Sequence, residues 1–256
     1  MKSFLNNFNF KNKKVFLIGG SGLIGSKIFM SLNQLGAKIT IFDINNKNLK
    51  KFKNYNFVDF DLTDENILDL KFKTYLKKNC PDILINCSYP KTTNWSKNNF
   101  SEIKYNDYKK NIDLHLNSYA WIAKLTANEM KRKKIKGNIV FLSSIYGLVG
   151  QNLNVYKNTK LKENMSYAII KGGINTLTKS MSSYYGNYGI RVNALCAGGV
   201  SDNQPKSFIK NYNNLVPLKR LASPQEIANS TVFLCSDAAS YITGSLLLVD
   251  GGWTSI

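Results

Sequence analysis

Short, almost wholly apolar runs recur along this chain, separated by stretches in which apolar residues return every three or four positions. The runs VFLIG, KITIF, NFVDF, DILIN, NIVFL, IRVNALC and LLLVD mostly lack the in–out alternation of a half-solvated strand. Each therefore predicts a strand buried on both faces. The intervening patterns predict helices starting near Leu23, Asp64, Tyr105, Ser166 and Pro224. Strand and helix alternating to the end of the chain imply an α/β fold: one doubly wound domain over residues 1–256, with a seven-stranded, mostly parallel sheet covered on both faces. Ligands gather at the carboxyl ends of such strands, where Gly19, Asp43, Asp61, Asn86, Ser144 and Ala197 fall. Two long stretches interrupt the alternation, YPKTTNWSKNNFSEIKY at 89–105 and QNLNVYKNTKLKENM at 151–165. Loops of this length at the ligand edge are expected to cover a substrate.

Composition narrows the class. A chain of 256 residues suffices for one continuous core. The opening MKSFLNNFNFKNKK is too interrupted for a signal peptide, and no stretch of about 18 apolar residues occurs, so a soluble cytoplasmic protein without a membrane partner is expected. Cys80, Cys87, Cys196 and Cys235 are scattered without a C-x-x-C pair and read as buried, reduced thiols; with His115 the sole histidine, no metal centre is expected. The formal charge of +19 rests on lysine, and the three arginines, Arg132, Arg191 and Arg220, are dispersed. That pattern argues against nucleic acid as a partner, and the run KRKKIK at 131–136 reads as a solvated face. A positive field does favour an anionic small-molecule substrate.

The first strand runs into GGSGLIGSKIFMSLNQLG. Strand, glycine turn and amphipathic helix form the opening of a dinucleotide-binding βαβ unit of Rossmann type. Gly19, Gly22 and Gly25 permit a tight turn, backbone approach to a pyrophosphate and close helix packing. The helix N-terminus offers N–H groups to the phosphates. The second strand ends at Asp43, whose carboxylate accepts ribose hydroxyls and repels a 2′-phosphate, which points to NAD as cofactor. Further on, Tyr167 and Lys171 stand one helical turn apart in SYAIIKGG. A phenol beside an ammonium has its phenolate stabilised and becomes a usable acid/base for carbonyl and alcohol chemistry.

With the glycine turn, DILIN, the serine pair, YAIIK and the tail YITGSLLLVDGGW, the whole chain resembles the short-chain dehydrogenase/reductase family. The resemblance implies Ser144, Tyr167 and Lys171 as the catalytic set. Ser144 would bond the substrate oxygen, Tyr167 would exchange its proton, and Lys171 would lower the phenol's pKa and hold the nicotinamide ribose. It further implies a cofactor wall of Gly19, Ser21, Gly22, Leu23, Ile24 and Gly25, then Asp43, Asp61 and Leu62, then Asn86, Cys87 and Ser88, and finally Tyr167, Lys171, Ala197, Gly198 and Val200. Several positions depart from the family pattern. Asn86-Cys87-Ser88-Tyr89 stands where Asn-Asn-Ala-Gly is usual, Ala197-Gly198 replaces Pro-Gly, and His115 occupies the place of a proton-relay asparagine. His115 is thus a candidate for holding a water beside Lys171 with a neutral ring, or for simple packing through a bond to a helix carbonyl.

NCSYPK, LHLNSY, SSIYG with VYKNTK, and GGVSDNQPKSF resemble a bacterial subgroup of flagellin-modification or surface-polysaccharide oxidoreductases, associated with nonulosonic sugars such as legionaminic acid. That resemblance implies a phosphorylated or nucleotide-linked sugar substrate, for which Asn152, Asn154, Asn158, Thr159, Asp202, Asn203 and Gln204 are polar loop candidates, and a homodimer or homotetramer. A reductase of 3-oxoacyl groups on a carrier protein is the alternative enzyme, and a non-catalytic nucleotide-binding regulator is the alternative of another class.

Overall fold

The computed structural model describes residues 4–50, 52, 55–64 and 67–256. Among them, seven strands make one sheet: β1 (Lys14–Ile18), β2 (Lys38–Asp43), β3 (Asn56–Asp59), β4 (Ile83–Asn86), β5 (Asn138–Ser144), β6 (Arg191–Ala197) and β7 (Leu246–Val249). Their order is β3-β2-β1-β4-β5-β6-β7, and every pairing is parallel. The sheet is thus wholly rather than mostly parallel. Val15 of β1 pairs with Ile39 on one side and Ile83 on the other. The winding reverses between β1 and β4, which opens a crevice at the carboxyl ends of these two strands.

Successive residues of each strand feed opposite layers, because side chains alternate across the pleat. Val15 and Leu17 join Ile28, Phe29 and Leu32 of α1 (Leu23–Gln34) and Ile227 and Val232 of α7 (Pro224–Cys235) on one face. Phe16 and Ile18 join α2 (Phe72–Lys78), α4 (Ser118–Arg132) and α5 (Met165–Tyr185) on the other, through Phe72, Tyr119, Ile122, Ile170 and Ile174. The start of α7 carries a capping box, with Ser223 and Glu226 bonding reciprocally and Pro224 in the first turn.

Three elements depart from the periodicity. The segment from Tyr105 is α3 (Tyr105–Asn111), a π-helical turn Ile112–Asn117, and α4, in unbroken succession. The helix expected near Asp64 has its described part in a π-turn at Ile67–Lys71 leading into α2, with residues 65 and 66 lying outside the described residues. An additional helix, α6 (Lys206–Leu215), packs Phe208, Ile209 and Tyr212 against Val155, Val216 and Trp253 and roofs the ends of β5 and β6.

Candidate active site

A cleft of about 950 Å³ lies over the crevice. The glycine turn, Asp43 and the 61–63 turn line one part of it, and Tyr89, Tyr167, Lys171 and Gly198 line another. Gly19 has φ +77°, a left-handed conformation that side chains resist. A Cβ on Gly25 would collide with the Gly19 carbonyl oxygen, so α1 packs against the turn only because Gly25 is bare, and a Cβ on Gly19 would collide with the Ser88 backbone. At Gly22 a Cβ would meet nothing nearer than Gly19 O at 3.4 Å, so this backbone faces open cleft.

No side chain caps the N-terminus of α1, and its first turn holds no acid. The positive end of the helix dipole is therefore free for an anion. The Ser21 hydroxyl is buried beside it with no partner. Bare glycine backbone, uncapped helix end and orphaned hydroxyl together fit the pyrophosphate of a dinucleotide.

Asp43, at the tip of β2, accepts hydrogen bonds from Ser21 N and Ile44 N, each at 2.8 Å, and so ties the glycine turn to the second strand. Burial raises its pKa, and the backbone donors oppose that rise. Asp61 lines the cleft and accepts from Thr63 N at 2.8 Å. Lys47 and Asn48 also line this part of the cleft, and Asn48 Nδ2 donates to Ser21 O at 2.7 Å.

At the other part of the cleft, α5 starts where Asn164 Oδ1 accepts from Tyr167 N at 2.9 Å, an N-cap that fixes the turn carrying the phenol. Burial pushes the Tyr167 pKa up, and a hydrogen bond with Ser144 opposes it. Lys171 is buried and donates to Leu142 O at 2.8 Å, with its Nζ 5.6 Å from the Tyr167 ring centroid. Desolvation brings its pKa down to about 7. The expectation that Lys171 lowers the phenol's pKa is not what the protein alone displays. Loss of water is the largest cause of both shifts. Such a phenol stays protonated at neutral pH, and with the Ser144 hydroxyl beside it the arrangement can deliver a proton to a carbonyl oxygen.

Three expected residues stand apart from the cleft lining: Ser144, buried with its Oγ accepting from Tyr146 N at 3.2 Å, Asn86 and His115. Asn86 is fully buried behind it, its Oδ1 accepting from Ser88 N at 3.2 Å and Ser88 Oγ at 2.7 Å, so it shapes the wall rather than forming it. His115 is fully buried within the π-turn, stacked edge-on against Tyr89 (5.4 Å) and tilted against Tyr119 (5.2 Å). The helix-carbonyl bond considered for it is not made: both ring nitrogens lack partners. Burial first, and the Lys171 charge second, hold its pKa well below the usual value, so the ring is neutral. Of the thiols, Cys80, Cys196 and Cys235 are buried and Cys87 partly so. Cys87 lines the cleft, correcting its reading as a buried thiol.

Among known proteins, the family model described as Enoyl-(Acyl carrier protein) reductase matches residues 21–254. The post-translational flagellin modification protein A of Campylobacter coli is 31% identical over 95% of this chain and 98% of its own. The chain belongs to the short-chain dehydrogenase/reductase family. A short-chain dehydrogenase of Leptospira borgpetersenii with bound NAD+ superposes with a TM-score of 0.88 at 31% identity, covering 99% of this chain and 96% of that one. A 3-oxoacyl-acyl-carrier-protein reductase of Chlamydia trachomatis is 29% identical over 94% of this chain and 97% of its own. This dehydrogenase therefore acts on small molecules as an oxidoreductase and is a Rossmann-type protein, with no described helix long and apolar enough to cross a membrane. Among its described residues, no group of three or more His, Cys, Asp or Glu is placed to hold a metal.

Sequence reasoning missed the aromatic side of the site. Tyr89 and Trp95 stand 5.9 and 6.3 Å from the Tyr167 ring. A tyrosine three residues past the end of β4 was the available signal for the first. For Asn164 the signal was an N-cap residue three positions before Tyr167.

Proposed function

We propose that this dehydrogenase is NAD(H)-dependent and interconverts a hydroxyl and a carbonyl on a sugar phosphate or nucleotide-linked sugar in bacterial surface-glycan or flagellin-glycan synthesis. The observation that carries the reading is one cleft shared by Asp43 and by Tyr167 with Lys171. The first selects a dinucleotide with free ribose hydroxyls, and the second handles the substrate proton. The flagellin-modification relative and the NAD+-bound neighbour support the two halves.

A bound nicotinamide dinucleotide supplies or accepts the hydride. Gly19, Ser21, Gly22, Leu23, Ile24 and Gly25 would hold its pyrophosphate, Asp43 its adenosine ribose, and Asp61 with Leu62 its adenine. Cys87, Ser88, Ala197, Gly198 and Val200 would enclose the remainder. Ser144 would donate to the substrate oxygen while Tyr167 Oη gives up its proton in reduction. In oxidation the proton returns to the phenolate, which needs the Lys171 ammonium for its stability. His115, neutral and unbonded, would hold a water between Lys171 and solvent. The chain would work as a single domain in the cytoplasm, as a homodimer or homotetramer.

The test is to incubate purified protein with NAD or NADP and a panel of sugar phosphates, nucleotide sugars and a 3-oxoacyl thioester, following absorbance of reduced nicotinamide. Turnover of a sugar with NAD supports the reading. Turnover of the thioester alone would give the reaction to the reductase alternative, which the Chlamydia relative favours. Cofactor binding without any turnover would leave a nucleotide-binding regulator.

A further inference from the structure

The loop between β4 and α3 brings two rings against Tyr167. Tyr89 lies edge-on at 5.9 Å, Trp95 edge-on at 6.3 Å, and the two are 5.6 Å from each other. Tyr89 is 47% exposed and lines the cleft. A hydrogen bond links its phenol to Trp95. Exposed aromatic surface facing an acid/base group needs a reason, because it forgoes burial for contact with something else.

The loop is built to stay in place. Asn98, Asn99 and Asn111 are fully buried, and Asn111 Nδ2 donates to Asn98 Oδ1 at 3.1 Å and to Thr92 Oγ1 at 3.0 Å. Ser166 Oγ donates to Asn98 Oδ1 at 2.8 Å, joining the loop to α5. Asn164 completes the join. Its Nδ2 donates to Trp95 O at 3.0 Å while its Oδ1 accepts from Tyr167 N. Its backbone N donates to Gln151 Oε1 at 3.0 Å, and its carbonyl accepts from Gln151 Nε2 at 2.9 Å. One side chain thus sets the position of Trp95 and of the acid/base helix together.

The Tyr89 ring, open to the cleft and backed by Trp95 at an interplanar angle of 79°, offers an apolar face with a phenol at its rim, which matches a ring that carries C–H bonds on one side and hydroxyls around its edge. An extended acyl chain presents no such face. Resting on the sugar reading above, we propose that the cleft-facing Tyr89 ring, buttressed edge-on by Trp95, is a substrate-selecting wall that stacks on the ring face of a cyclic sugar, with Asn164 as the positioning residue that, through Trp95, keeps this wall in register with Tyr167.

Glucose 6-phosphate and sorbitol 6-phosphate share carbon count and phosphate, and sorbitol 6-phosphate, reduced at C1, cannot close a ring. Titrated into the protein–NADH complex, the ring form should bind about three- to tenfold more tightly, the worth of one aromatic contact. Tyr89→Leu should abolish that ratio and Tyr89→Phe retain it, both with NADH affinity unchanged. Asn164→Asp, which keeps the cap acceptor and loses the donor to Trp95, should reduce the ratio with far-ultraviolet circular dichroism intact. Equal binding of the two probes, no binding of the ring form, or a ratio that survives Tyr89→Leu would overturn the wall. Failure of the unmutated protein to bind NADH would instead overturn the oxidoreductase reading. Reduction of a 3-oxoacyl thioester without ring discrimination would remove the wall and the sugar substrate and leave the oxidoreductase.

Discussion

Replacing Lys171 by methionine should stabilise the protein while disabling it. Lys171 is 3% exposed, and its Nζ donates to Leu142 O at 2.8 Å. Among the described residues, no ion pair includes it. Desolvation lowers its pKa from 10.5 to about 7. Between these two values the unfolded chain holds a proton that the folded chain releases, so stability rises with pH across that window. The destabilisation is complete below about pH 7 and gone above the unfolded value of 10.5. At about 1.36 kcal/mol for each tenfold change in proton affinity, it amounts to about 4 kcal/mol at pH 7. Methionine removes the charge at similar volume and forfeits the bond to Leu142 O, a loss of about 1 kcal/mol. The net gain of about 3 kcal/mol corresponds to a Tm higher by about 6–12 °C for a domain of this size. Thermal melts of both proteins without added nucleotide, at pH 7 and pH 10, give the comparison. A lower Tm for Lys171→Met at pH 7, or a difference that does not shrink toward pH 10, would refute the reasoning. Turnover by the variant should fall at every pH, since no cation remains to support the phenolate.

Tyr167→Phe should cut kcat by about 10²–10⁴-fold with NADH affinity and Tm nearly unchanged, because only the proton carrier is removed; more than a tenth of wild-type kcat would contradict the role. Asp43→Ala should narrow a preference for NAD over NADP measured as kcat/KM, and equal kcat/KM for both cofactors in the unmutated enzyme would defeat the assignment. His115→Asn should keep substantial activity across the pH range, whereas His115→Leu should lose much of it without losing NADH affinity. Equal, near-wild-type kcat for both His115 variants would reduce the ring to packing.

The sheet was legible because parallel strands buried on both faces are written as continuous apolar runs, and the glycine turn because Gly19 and Gly25 answer local steric needs that show in one segment. Other features were hidden for physical reasons. The π-turn at Ile112–Asn117 costs nothing visible in the apolar period, so α3 and α4 read as one ordinary helix. Helix α6 was obscured by its polar flanks, since Phe208 and Tyr212, besides stacking on each other, pack on the distant Tyr156 and Trp253. Asn98 and Asn164 fall in stretches read as substrate-covering loops and Asn111 in the helix from Tyr105, yet each is bonded to groups far along the chain, and composition carries no record of a partner. The depth of Tyr167 and Lys171 was not legible because spacing reveals adjacency alone. Burial, a property of the whole fold, sets the direction of both shifts.

The reversal between β1 and β4 also bears on how the chain folds. Val15 must await Ile83, 68 residues later, before its second edge is paired. Until then the first strand has one side open, at the place where a neighbouring chain's strand would fit. On a ribosome the β1–α1–β2 unit emerges as an incomplete layer whose partner strand is still unsynthesised. Loop closure of this length is slow relative to local helix formation, so the crevice should be among the last contacts to form. A nucleotide spanning both sides of that crevice would bind only the closed form, drawing the equilibrium toward it by mass action. The supply of free dinucleotide in the cell would then govern the lifetime of the finished sheet as well as its chemistry.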